Sequence, residues 1–432
     1  MLKGFYFCEY PNMVVLFYNI IIAIYSAGIR FASLFNDKAR MFYQGRKNLL
    51  KGIEEKMAGS SQKVIWVHCA SLGEFEQGRP VIEWLKEKKP DYPIVLTFYS
   101  PSGYTVRKNY ALADHVFYLP VDTAAKARQF IRLINPSLVI FVKYEFWYHY
   151  ITFLRDNNIP ILSISSIFRP DHIFFKFYGG FFREMLKKVD HFFVQNEESV
   201  SLLHKLGIKG VTNSGDTRFD RVYQLREQEI KLPLIEKFKG EDKLLILGSI
   251  WTTDMDRIAG FVNTVAEKES IKIILAPHEI QEANIRRQLK DIRLSFIKYS
   301  EANEETVTKA RLLIIDNIGM LSTLYRYGDY AYIGGSFGVG LHNILEAATF
   351  GLPLFFGSQN FKRFREANEL IKLGGAFPIS SSEELMKVFQ HVSQEEEKIR
   401  VLNSQYVQEN TGATEKIVNY CLTLLENGRD RH

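Results

Sequence analysis

Short apolar runs recur along this chain, most of them closed by a small polar or glycine-containing cluster and many followed by residues at helical spacing. Residues 64–67, 94–97, 116–119, 138–142, 161–164 and 191–194 form a first series. Between them, Val81, Ile82 and Leu85 within residues 78–88 repeat at helical spacing, and residues 124–134 read as another helix. Strands separated by helices imply βαβ units and a parallel sheet. The alternation pauses over residues 226–243, a polar stretch with Pro233 and Gly240, and restarts at residues 244–247, 271–275, 312–315, 330–333 and 353–356. The expectation is an α/β chain with an N-terminal segment over residues 1–35 and two Rossmann-like domains, residues 36–225 and 226–432. A length of 432 residues suits two cores of about 150–200 residues each. Ligands of open α/β sheets bind at the carboxyl ends of the strands, so the chemistry belongs in the loops that follow these runs.

Hydrophobic residues at 46% and charged residues at 24% exclude a disordered chain. The net charge of +6 fits anionic partners. No dense Lys/Arg run or zinc spacing points to nucleic acid. Cys8, Cys69 and Cys421 are too far apart to suggest a disulfide framework or a metal pattern, which fits a reducing compartment. Residues 13–29 carry no charge, and apolar character resumes at residues 31–35. A spanning helix needs about 20 such residues. Lys38, Arg40, Arg46, Lys47 and Lys51 follow, which places that side in the cytoplasm. The reading is a single N-terminal anchor with a cytoplasmic body. A signal peptide fits less well, because Lys3 is opposed by Glu9 and no clean cleavage site follows. Asn19 and Ser26 leave open a helix lying in the interface, and an ordinary core helix is the third reading.

Six loops carry candidate chemistry. Ala70-Ser71-Leu72-Gly73-Glu74-Phe75-Glu76 joins the first strand to a helix; Glu74 there is either a base for a hydroxyl or a complement to the helix dipole. Ser100-Pro101-Ser102-Gly103 is a donor-rich loop or a plain turn. Lys143-Tyr144-Glu145-Phe146-Trp147 ends a very apolar strand with a carboxylate that needs a partner, a lysine or a substrate. Gly248-Ser249-Ile250-Trp251-Thr252-Thr253-Asp254 has anion-binding form without being a Walker loop or a dinucleotide fingerprint. Ala276-Pro277-His278-Glu279 brings a histidine to a strand end. The densest is the stretch from Gly334 through Gly335, Ser336, Gly338 and Gly340 to His342, Asn343 and Glu346. Its glycines admit a phosphate, and Glu346, predicted to share a helix face with His342, would accept from ribose hydroxyls. Gly357-Ser358-Gln359-Asn360-Phe361 closes the next strand.

Taken in order, Trp66-Val67-His68, Ser71-Leu72-Gly73-Glu74, Ser102-Gly103, Glu145-Phe146-Trp147, Gln195-Asn196-Glu197-Glu198 and Gly215-Asp216-Thr217-Arg218-Phe219-Asp220 resemble the Kdo transferases. Gly334-Gly335-Ser336 and His342-Asn343-Ile344-Leu345-Glu346-Ala347-Ala348 complete the set. Those enzymes add 3-deoxy-D-manno-octulosonic acid (Kdo) to a lipid A precursor, and the resemblance covers nearly the whole chain. It implies a GT-B fold, two Rossmann-like domains facing across a cleft, and an enzyme of lipopolysaccharide biosynthesis at the inner membrane. CMP-Kdo would be the donor and a lipid IVA-like glycolipid the acceptor, with no metal and no cofactor. Glu74 matches the family's general base. Ser71, Gly73, Ser102 and Glu145 then fall on the acceptor side. Ser249, His278, Gly334, Gly335, Ser336, Gly338, Gly340, His342, Asn343 and Glu346 fall on the nucleotide side. Many members carry Pro-Arg-His where this chain has Ala276-Pro277-His278, so Arg218, Arg169, another cation or backbone N–H groups are left to meet the donor phosphate. Lys143-Tyr144 likewise replaces the usual Glu-Thr. The alternatives are a GT-B enzyme or epimerase using a UDP-sugar, and a membrane-bound lipid-recognition protein without enzymatic activity.

Overall fold

The computed structural model describes residues 11–429 except 61 and 270. Its strands are β1 (Val64–Cys69), β2 (Ile94–Phe98), β3 (His115–Tyr118), β4 (Pro136–Val142), β5 (Ile161–Ser166), β6 (His191–Val194) and β7 (Val211–Asn213) in the first half. The second half holds β8 (Lys243–Ile250), β9 (Ile271–Pro277), β10 (Phe296–Lys298), β11 (Leu312–Ile314), β12 (Tyr330–Ile333), β13 (Leu354–Gly357) and β14 (Ala376–Ile379). They build two parallel sheets, ordered β3-β2-β1-β4-β5-β6-β7 and β10-β11-β9-β8-β12-β13-β14. The expected parallel α/β architecture is therefore present twice. Strands β7, β10 and β14, short and at or near sheet edges, had no sequence signal strong enough to read.

The order of each sheet decides where a ligand belongs. Strand succession reverses between β1 and β4 in the first sheet and between β8 and β12 in the second. At such a reversal the connections leave in opposite directions and open a crevice at the carboxyl ends of the two strands. The loops after β1 and β4 are those of Glu74 and Glu145. The loops after β8 and β12 are those of Ser249 and of residues 334–340. The sheets' centres are fully apolar: Val64 to Val67 and Leu138 to Val142 are completely buried, as are Leu244 to Ile246. Continuous apolar runs of this kind are what a sheet covered on both faces requires.

The chain divides into a unit made of Met1–Asp220 with Gly412–His432, and a unit of Arg221–Thr411. This differs from a split into residues 36–225 and 226–432. The last helix, Ala413–Arg429, belongs to the first unit, where Ile417, Val418, Cys421 and Leu425 join the core cluster of Ile65, Leu138 and Ile140. Buried Asp220 fixes the return: its carboxylate accepts from Gly412 N–H (2.6 Å), Thr414 N–H (2.7 Å) and the Thr414 hydroxyl (2.7 Å). An apolar stripe announces burial but not its partner, so the sequence did not disclose which sheet this helix covers. The polar stretch expected as a linker also differs, since Pro233–Lys239 is a helix with Ile235 and Phe238 buried.

Candidate active site

Ser71 ends the first strand's loop in extended conformation and begins the helix Leu72–Lys88. Its N–H donates to the Glu74 carboxylate at 3.0 Å, so Glu74 folds back over the helix start and does complement it. Capping does not exhaust what Glu74 shows. Burial pushes its carboxyl above the ordinary range, and the nearby Glu145 charge adds to this; Lys143 and His68 offset part of it.

Glu145 is held by two nitrogen donors. Trp147 Nε1–H donates to Oε2 at 2.8 Å, and His68 Nε2 lies 3.2 Å from the same oxygen. His68 is completely buried. Its Nδ1 is 2.8 Å from Thr97 Oγ1, which accepts from Trp66 Nε1–H at 2.8 Å. The arrangement that satisfies every partner has the Thr97 hydroxyl donating to Nδ1, leaving Nε2–H to donate to Glu145. A buried relay from Trp66 through Thr97 and His68 thus orients Glu145. The turn before it is strained: Lys143 has φ 64°, and its carbonyl accepts from the hydroxyls of Ser163 (3.1 Å) and Ser166 (2.9 Å). Gly73 and Ser102 are exposed on first helical turns after β1 and β2, with Ser102 Oγ 3.0 Å from Ser100 Oγ. Arg218 is otherwise engaged. Its Nε and Nη2 donate to Asp216 Oδ2 at 2.9 and 2.7 Å, and Gln77 Nε2 donates to Oδ1 at 3.2 Å. Burial would raise Asp216, but the Arg218 charge and these bonds outweigh it and hold the carboxyl below its ordinary value. Two of the guanidinium's nitrogens are thus engaged by Asp216.

In the second unit the glycine loop is packed against its neighbour as closely as backbone permits. A methyl group at Gly334 would come within 2.4 Å of the Ser249 carbonyl oxygen and 2.9 Å of Asp254 Oδ2. Gly335 adopts φ 92° and its N–H donates to Asp254 Oδ2 at 2.9 Å; Trp251 N–H donates to the same oxygen at 3.0 Å. The N–H groups of Gly338 and Gly340 both donate to Gly335 O, at 3.0 and 2.9 Å, and Gly334 N–H donates to Gly248 O at 2.9 Å. These amides are spent inside the protein, which corrects the picture of a phosphate cradled by them. Ser336 is corrected too: it is fully buried, and its hydroxyl bonds Gly357 O (2.7 Å) and Gln359 O, tying the loop to the end of β13.

His342 and Glu346 do not share a helix face. The helix is only Leu345–Ala348, and His342 sits in the loop before it. Asn343, in the same loop, accepts from Leu345 N–H through its Oδ1 at 3.2 Å, and its Nδ2 donates to Glu346 Oε1 at 3.1 Å. His342 joins a ring stack instead. His278 lies over Trp251 (4.4 Å between centroids) and over His342 (4.5 Å), and Trp251 Nε1–H donates to His342 Nε2 at 2.9 Å. An accepting Nε2 is a neutral imidazole; burial, with His278 nearby, pushes His342 down to about 4. Beside the glycine loop lies a groove of about 450 Å³ lined by Gly338, Val339, Ser358, Gln359, Asn360, Lys362 and Arg363. Arg363 Nη2 donates to Val339 O at 3.3 Å. Sequence reading stopped at Phe361, one residue short of these two cations.

Each unit therefore presents a distinct chemistry. The first holds two carboxylates, one fixed by donors and one with raised proton affinity, a pairing that separates an anion from a proton acceptor. The second offers stacked rings, an Asn–Glu pair and cations at a glycine loop, which suit a nucleotide.

Comparison with known proteins agrees. Residues 44–221 match the model of the 3-deoxy-D-manno-octulosonic-acid transferase (kdotransferase) family. The 3-deoxy-D-manno-octulosonic acid transferase of Aquifex aeolicus (strain VF5) is 28% identical over 348 residues, covering 78% of this chain and 88% of that one. The enzyme of the same description from Chlamydia muridarum is 26% identical over 316 residues, 71% of this chain and 73% of its own. Among solved structures, UDP-GlcNAc 2-epimerase from Neisseria meningitidis bound to UDP-GlcNAc superposes with TM-score 0.59 at 13% identity, over 84% of this chain and 100% of that one. Acinetobacter baumannii MurG gives 0.52 at 11%, over 83% and 98%. These two likenesses concern the fold, which is GT-B. With both sheets built as that fold requires and relatives aligned along most of its length, the chain is similar to the 3-deoxy-D-manno-octulosonic-acid transferases and is a glycosyltransferase.

Proposed function

We propose that this glycosyltransferase moves Kdo from CMP-Kdo to a lipid A precursor of the lipid IVA type, at the cytoplasmic face of the inner membrane, in lipopolysaccharide biosynthesis. The observation that carries the chemistry is the carboxylate pair at the first sheet's reversal, with Glu74 raised by burial and by Glu145. Glu74 accepts the proton of an acceptor hydroxyl as that oxygen bonds the anomeric carbon of Kdo. The bond from that carbon to the CMP phosphate breaks in the same step, with inversion, and the electron pair leaves on CMP. Glu145, anchored through His68 and Trp147, adds to the raised proton affinity of Glu74. On the donor side, Glu346 accepts from the ribose hydroxyls, with Asn343 setting its orientation. Lys362 and Arg363 meet the phosphate in place of the family's arginine, since the loop amides described above are already bonded.

The test is which nucleotide raises the melting temperature. A ligand binding only the folded state adds about 2.7 kcal/mol at a hundredfold excess over its Kd. CMP should stabilise the wild-type chain and fail to stabilise Glu346→Ala. Stabilisation by UDP and not by CMP would transfer the reading to a UDP-sugar enzyme; an unchanged CMP affinity in Glu346→Ala would remove the ribose role.

A further inference from the structure

The helix Pro11–Ala32 includes a window, Met13–Ala32, long and apolar enough to cross a bilayer. It is nevertheless fastened sideways to the first unit at two levels. Near its start, the Tyr18 hydroxyl donates to Asp122 Oδ2 at 2.5 Å, and Asn19 Oδ1 lies 2.6 Å from His149 Nε2. Asp122 is buried and also accepts from the N–H groups of His149 (3.1 Å) and Tyr150 (3.2 Å), so the tie is made to the domain's own framework. The Tyr18 ring packs 5.7 Å from those of Tyr148 and Phe181. Farther along, Ile22 is buried, and Tyr25 meets Phe42 and Tyr99 at 6.3 and 6.4 Å. Tyr18 and Tyr25 are about 10 Å apart along the axis and both lie within the apolar window. If the helix stood across a hydrocarbon core about 30 Å thick, both contacts would fall inside it and draw Asp122, His149 and neighbouring Lys188 with them.

The remaining surface agrees with a helix lying flat. Phe17, Ile24 and Phe31, seven residues apart on one face, are 60%, 66% and 68% exposed. Beyond Phe181, the turn over residues 173–178 exposes Phe177 at 94% together with Tyr178. That turn is built, not loose: Arg183 Nη1 donates to Lys176 O at 2.7 Å and to Phe174 O at 3.2 Å, and a methyl group at Gly179 would strike Ile173 O at 1.9 Å. Lys176 sits within the turn, and Lys188 lies over the Tyr148 ring at 5.3 Å, so cations border the apolar face as an anionic lipid surface requires.

We infer that this helix does not span the membrane but lies in its interfacial plane, and that Phe177 and Tyr178 form a second lipid contact beside it. The inference rests on the membrane association proposed above. The test uses the full chain with Cys8 replaced by serine and a spin label placed singly at Phe17→Cys, Ile24→Cys or Phe31→Cys, bound to phosphatidylethanolamine–phosphatidylglycerol vesicles. Equal depths at the three sites are expected; depths that change by about 10 Å from one label to the next would mean a spanning helix and overturn the inference. A Phe177→Asp/Tyr178→Asp variant should partition onto the same vesicles at least tenfold more weakly with an unchanged melting temperature, whereas unchanged partitioning would remove the second contact. If the wild-type chain does not bind vesicles at all, the membrane association itself fails.

Discussion

Replacing Glu74 with glutamine separates two roles that the structure brings to one carboxylate. As a cap, Glu74 accepts from Ser71 N–H at 3.0 Å. Glutamine keeps an oxygen there, so the cap survives; alanine removes it at a cost of about 1 kcal/mol. In a domain of this size that lowers the melting temperature by about 2–4 °C. As a base, glutamine cannot accept a proton. General base catalysis contributes about 10²–10⁴-fold, equivalent to about 3–5 kcal/mol of barrier. Glu74→Gln should therefore melt like wild type, bind CMP like wild type and turn over at least a hundredfold more slowly. The pH profile adds a check with a fixed sign. Glu74 works only when deprotonated, and burial with Glu145 raises its proton affinity, so wild-type kcat/KM should fall as pH drops through a value above the ordinary glutamate range. That acid limb should vanish from the residual activity of Glu74→Gln. Turnover within tenfold of wild type, followed by release of CMP from CMP-Kdo, would refute the assignment and leave Glu74 a helix cap.

Two further outcomes test other parts of the account. Lys362→Gln/Arg363→Gln should weaken CMP binding about tenfold, corresponding to about 1.4 kcal/mol, and flatten its dependence on salt; isothermal titration that finds no change would exclude these cations from the phosphate. Asp220→Ala removes three donors' acceptor at the start of the last helix. A loss of about 1–3 kcal/mol is expected in thermal or urea unfolding, and no loss would mean that the apolar stripe alone docks that helix.

Much of the architecture was legible because buried parallel strands must be apolar throughout, and runs such as residues 138–142 and 244–247 have few other uses. The two reversal points were not legible: they depend on strand order, which no run of residues encodes alone. What escaped was mostly partnership. The Ala413–Arg429 helix advertised an apolar face without naming the sheet it covers. Gly334 and Gly335 looked like room for a phosphate, yet they make room for Ser249 and Asp254, because close backbone approach has the same sequence signature whichever atom approaches. Arg218 is paired with Asp216, two residues earlier, through a turn that spacing does not reveal. His342 and Glu346 stand four apart, as on a helix, yet the helix begins only at Leu345 and His342 lies in the loop before it. Glu74 and Glu145, in contrast, were each readable as a strand-end carboxylate, but not as neighbours, and the relay through His68 and Thr97 that orients the second was not legible.

The most direct measurement is the mass of the product formed when the full chain is incubated with CMP-Kdo and a tetraacylated lipid A precursor. A glycolipid heavier by one or more Kdo residues is expected, formed with equal release of CMP and absent with Glu74→Gln. An unmodified acceptor from a folded, CMP-binding preparation would contradict that transfer.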